Sequence, residues 1–100
     1  MISYDMRKLV YEKAIEHFGT ETQMVVAIEE MSELIKEICK SFRGQLDMDG
    51  LVEEIADATI MLEQLRLVFD VNDLVVEEMD RKINRLGVYR LGMTDKRLEL

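Results

Sequence analysis

The chain has 100 residues, 48% hydrophobic and 34% charged, and its 13 Lys and Arg against 21 Asp and Glu leave a formal net charge of −8. That is enough apolar material to exclude a wholly disordered chain, and a length that allows one domain, 1–100. The acidic balance speaks against a nucleic-acid partner, which needs a basic face.

Other classes fall away on simple grounds. The single Cys forbids an intrachain disulfide and suits a reducing, cytoplasmic setting. No apolar run approaches the ~20 residues of a membrane span, and the opening Met-Ile-Ser-Tyr-Asp lacks a signal-peptide pattern. No membrane partner is expected.

Pro is absent, and the five glycines punctuate segments whose apolar residues recur at steps of three and four. The first predicted helix runs from about Asp5 to Phe18, capped by Ser3 or Asp5 and stopped by Gly19. Thr20-Glu21-Thr22-Gln23 resembles a capping box at the head of a second helix that ends near Phe42. Its expected core positions are Met24, Ile28, Met31, Leu34, Ile35, Ile38 and Phe42, and Arg43-Gly44 closes it. A third helix is predicted over about Leu51 to Phe69, with Asp49 as cap and Leu51, Ile55, Ala58, Leu62, Leu65 and Phe69 inward.

The fourth runs from about Asp73 to Leu86, capped by Asn72 or Asp70, with Val76, Met79, Ile83 and Leu86 inward. The core spans about residues 5–86, and the tail, 87–100, receives no assigned structure. Short loops between such helices predict an all-α, antiparallel four-helix bundle. A core this modest gains from self-association.

The charges on the two middle helices are placed unusually. At 100° per residue, Glu30, Glu33 and Glu37 lie on one flank of the second helix's apolar stripe, whereas Glu29 points outward. On the third helix Glu54 falls inside the apolar arc, about 60° from Leu51, and Asp57 lies about 60° further out. Glu53 points outward. An acid in an apolar arc is costly unless it is paired or metal-bound. If the flanks meet, four carboxylates converge and need a counter-charge. An oxygen-only set points to Mg²⁺, with Mn²⁺ as a substitute. The bland alternative is a solvated acidic edge, the ordinary fate of helix-flank acids.

Glu29-Glu30-Met31-Ser32-Glu33 followed by Glu54-Ile55-Ala56-Asp57 resembles the E-E-x-x-E … E-x-x-D signature of the MazG-like nucleotide pyrophosphohydrolases, of the all-α NTP pyrophosphatase superfamily. The resemblance covers about Phe18 to Arg85. It implies a Mg²⁺-dependent enzyme that splits a nucleoside triphosphate into monophosphate and pyrophosphate, acting as a homodimer or homotetramer. Carried over by position, the metal ligands are Glu30, Glu33, Glu54 and Asp57. Glu30 or Glu33 orients or deprotonates the attacking water. Lys82, Asn84 and Arg85 match the family's basic and amide group near the phosphates, although cations also suit any helix C-terminus. Gln23 is a further substrate contact, unless it serves only the capping box.

One departure is the absence of Trp, which many relatives stack on the base. His17, Phe18, Phe42 and Tyr89 are the aromatic or ring substitutes. The alternatives are a non-catalytic helical oligomerisation or regulatory module with a vestigial acidic site and, within the enzyme class, a specialised pyrimidine dNTPase.

Overall fold

The computed structural model describes residues 1–98, and every regular element among them is helical. Helix α1 spans Tyr4–Phe18, α2 spans Thr20–Phe42, α3 spans Met48–Val68 and α4 spans Asn72–Asn84. A π-helix, Arg85–Arg90, continues from α4, and a 3₁₀ turn covers Lys96–Leu98. The all-α class expected from periodicity therefore holds. The helices divide into two units, Met1–Phe69 with α1 to α3, and a second beginning at Asp70 with α4 and the turns after it. Among the described residues no helix is long and apolar enough to cross a membrane.

Local chemistry explains most boundaries. Ser3 caps α1, its hydroxyl accepting from the Met6 amide at 3.2 Å. Gly19 alone separates α1 from α2, at φ 94°, a left-handed value that side chains disfavour. The predicted capping box does not form: α2 begins at Thr20 with no side-chain cap, and Gln23 turns inward instead. Helix α3 starts three residues before its predicted onset. Asp47, not Asp49, is its cap and accepts from the Gly50 amide at 3.2 Å, so Gly50 lies within the helix. Helix α4 begins after Val71 with no side-chain cap, so neither Asn72 nor Asp70 serves. Gly87 does not stop the chain there: it is buried inside the π-helix, where an added Cβ would meet Leu98 Cδ1 at 2.7 Å.

In the first unit α2 and α3 pack as an antiparallel pair with α1 against both. Gln23 faces Gln64, Glu30 faces Asp57 and Glu37 faces Gly50, seven residues apart on each helix, two turns of a coiled-coil-like seam. The seam is lined by small and polar groups. Its buried residues are Ala27, Ala58, Met61 and the amides Gln23 and Gln64, whose Nε2–Oε1 bond is 2.8 Å. Tyr11 of α1 is buried and donates to Glu63 Oε1 at 3.2 Å, beside Arg7 Nε at 3.5 Å.

This overturns much of the expected core. Ile28, Ile35 and Phe42 are 65%, 62% and 87% exposed, and Ile38, Ile55, Leu62 and Phe69 are also exposed. The apolar stripe of α2 is real, but α3 packs to one side of it, along Ala27 and Gln23, about 60° and 100° from Met24. Small residues let the backbones approach, and that close approach selects the seam. In the second unit Val76, Met79, Ile83 and Leu86 are likewise exposed. Cys39 is exposed as well.

Replacing Gln23 by Leu strands the buried Gln64 amide and is expected to cost about 1–3 kcal/mol. Replacing both glutamines by Leu is expected to recover part of that loss. Urea denaturation of the two single variants and the double variant checks both statements.

Candidate metal centre

Two turns from the glutamine pair, the seam carries acids. One carboxylate oxygen from each of Glu30, Glu54 and Asp57 lies within 4.8 Å of the others, and all three residues are half-buried. Glu30 comes from α2, Glu54 and Asp57 from successive turns of α3, so the site exists only because the two helices pair in this register. Oxygens this close suit a hard divalent cation, whose ligands sit about 2.0–2.6 Å from it.

The electrostatics of the three acids are self-repulsive. Partial burial raises the Glu30 carboxyl above its ordinary value, and Asp57, Glu54, a hydrogen bond with Asp57 and Glu33 add to the shift. Glu54 is raised first by burial, then by Asp57, Glu33, Glu53 and Glu37. Glu54 Oε2 is buried without any hydrogen-bond partner. A buried, unpartnered carboxylate oxygen is rare and is the natural position for a metal bond.

The remaining predicted residues fall in different places. Glu33 is exposed and stands outside the close triad, yet its charge reaches both Glu30 and Glu54. Glu29 and Glu53 are exposed, as their angular positions required. Gln23 is buried with its amide nitrogen engaged by Gln64. Lys82, Asn84 and Arg85 belong to the second unit; Lys82 is exposed with Glu78 Oε1 3.9 Å away, Asn84 is half-buried and Arg85 is exposed. His17 stacks edge-on against Phe18, ring centres 4.7 Å apart, and lines a shallow groove with Lys13 and Glu16.

Glu37 is the residue that sequence reasoning left out of the site. One oxygen accepts from Lys40 Nζ at 2.9 Å, while Oε2 is buried and unpartnered. Its signal was the seven-residue step from Glu30 combined with a glycine opposite: a Cβ at Gly50 would sit 3.4 Å from Glu37 Oε2. The acid edge thus runs two helical turns, from Glu30 to Glu37.

None of the family models, curated proteins or solved structures compared with this chain matches it.

Because Glu30 and Glu54 titrate above their ordinary 4.5, the folded state holds protons that the unfolded chain has already released. Metal-free stability is therefore expected to be greatest toward pH 4.5 and to fall as pH rises through the raised values. Glu78 and Asp95, both lowered by Arg partners, act with opposite sign and at lower pH. Asp57→Asn is expected to raise the metal-free Tm at pH 7.5 and flatten its fall with pH. Thermal melts in chelator from pH 4.5 to 8 check this.

Proposed function

We propose that the chain is a Mg²⁺-dependent nucleoside triphosphate pyrophosphohydrolase that releases a nucleoside monophosphate and pyrophosphate. The observation that carries the reading is the convergence of Glu30, Glu54 and Asp57 on one point with Glu54 Oε2 unsatisfied. The acids that meet are members of the two-helix pattern E-E-x-x-E … E-x-x-D, which resembles the MazG-like signature. The donor set, all hard carboxylate oxygens, fits Mg²⁺ and accepts Mn²⁺.

In this reading Glu30, Glu54 and Asp57 hold the ion, with Glu33 at their edge. Mg²⁺ held there would supply a counter-charge for the triphosphate and Lewis-acid chemistry. The protein's −8 charge makes that counter-charge a condition of substrate binding. Glu33, exposed and unencumbered by the close triad, is placed to orient the attacking water or take its proton. Glu30 is the alternative base. The resemblance would give Lys82, Asn84 and Arg85, which belong to the second unit, a phosphate-contacting role, and Gln23 holds α2 against α3 two turns from the acids. The enzyme acts as a homodimer or homotetramer in the cytoplasm.

The exposed apolar residues of α2 and α3 favour one competing reading, a non-catalytic helical oligomerisation module with a vestigial acid cluster. The two readings part on metal and turnover. At about 100 times its Kd, a cation held by the folded state alone adds about 2.7 kcal/mol of stability. Mg²⁺ is therefore expected to raise the Tm at pH 7.5, with a gain that shrinks toward pH 5 as the acids protonate. A panel of canonical and modified triphosphates, pyrimidine deoxynucleotides included, is expected to yield pyrophosphate with Mg²⁺. Glu30→Gln and Asp57→Asn are each expected to lower that rate at least ~100-fold while circular dichroism is retained. Undiminished turnover in both variants rejects the assignment, and absence of turnover together with absence of metal-linked stabilisation favours the module.

A further inference from the structure

The α2–α3 pair has two unlike sides. On α2, Met24, Ile28, Ile35 and Phe42 fall within about 40° of one line, and on α3 so do Ile55, Leu62 and Phe69. Seen from each helix's N-terminus, both lines lie about 100° clockwise from the seam. In an antiparallel pair, equal rotations reach the same side, so the two apolar lines form one continuous face. Glu33 and Asp57 are rotated the other way, toward the acid edge.

Ile28, Ile35, Phe42, Ile55, Leu62 and Phe69 of that face are all exposed. Together they present on the order of 700 Å² per copy, more than a typical monomer's largest apolar patch and close to the ~800 Å² each partner contributes to a standard interface.

We infer that this face is the self-association surface of the protein, two α2–α3 pairs meeting across a two-fold axis with their acid edges turned outward. This names the surface behind the homo-oligomer reading and rests on that reading, but not on nucleotide chemistry. Three observations select a second copy as the occupant. The face is two helices wide and spans about 27 Å from Met24 to Phe42, whereas α4 and the π-helix that continues it make a single rod one helix wide. Another α2–α3 pair matches it in width and length. Between Met24 and Phe42 the α2 line carries no charge, so chains of net charge −8 meet there without the repulsion any contact through the acid edge would bring. An isologous contact also asks each surface to be its own complement, and an apolar antiparallel pair satisfies that by construction.

Cys39 lies on the same line, between Ile35 and Phe42, and is exposed in a single copy. It reports on the face directly. Light scattering on the full chain is expected to give at least twice its 11.7 kDa. Ile35→Glu and Leu62→Glu are expected to give the monomer mass, while Lys36→Glu, on the outer side of α2, leaves the mass unchanged. Maleimide is expected to label Cys39 roughly tenfold more slowly in the parent chain than in Ile35→Glu, the ratio a protection of 1.4 kcal/mol gives. If the Glu variants fail to fold, the parent chain still answers: its Tm and its Cys39 protection are both expected to fall on dilution. A parent chain that is monomeric at every concentration overturns the proposal, whether or not Cys39 is protected. An oligomer that persists in both Glu variants with Cys39 freely labelled overturns this face and leaves self-association through another surface. None of these outcomes depends on metal binding or turnover.

Discussion

Like charges brought together on purpose define this molecule. Carboxylate oxygens of three acids lie within 4.8 Å of one another between α2 and α3, and burial and neighbouring acids push the Glu30 and Glu54 carboxyls above their ordinary values. Nothing among the described protein groups offsets the unpartnered oxygen of Glu54. A helix pair bearing such a cluster folds only if the rest of its seam outweighs the repulsion. That work falls to Ala27, Ala58 and Met61, and to the amide pair Gln23–Gln64 two turns away. The seam is thus a compromise between close packing at one end and stored electrostatic tension at the other.

The same seam explains why so much apolar surface stays outside. Close approach of α2 and α3 is governed by small residues, and alanines at positions 27 and 58 are almost wholly buried. Large residues such as Ile28, Ile35 and Phe42 would hold the helices apart and so are turned to one side. Acid edge and apolar face are therefore two consequences of one choice of helix rotation. A chain that turns its acids toward a common centre must also turn its isoleucines away from it.

Much of the architecture was legible in the chain itself. The steps of three and four, the Ser3 cap and the isolated Gly19 locate α1 and α2 to within a residue. The pairing of Glu54 with Asp57 follows from their i, i+3 spacing, because residues three apart on a helix project the same way. Caps were harder to read. Asp47 and Asp49 both precede α3, and choosing between them required knowing that Gly50 is helical and packs beneath Glu37. The run after Gly87 was illegible because a π-helix has no distinct apolar period, and Gly87 there meets a packing need that resembles a stop.

The sequence by itself determined the all-helical class, the spans of α1 and α2 and the angular placement of every acid on its own helix, since these depend on local hydrogen bonding and a 3.6-residue repeat. It did not determine which side of the broad apolar stripe on α2 would meet α3. Hydrophobicity favours burying the whole stripe, and only three-dimensional packing reveals that Ala27 is covered while Ile28 and Ile35 are not. Tertiary structure decided that rotation, and with it the membership of the close acid triad, the exclusion of Glu33 from it, the addition of Glu37 to its edge and the apolar face left uncovered. Each is a relation between two helices, and a one-dimensional pattern cannot specify the angle at which two helices meet.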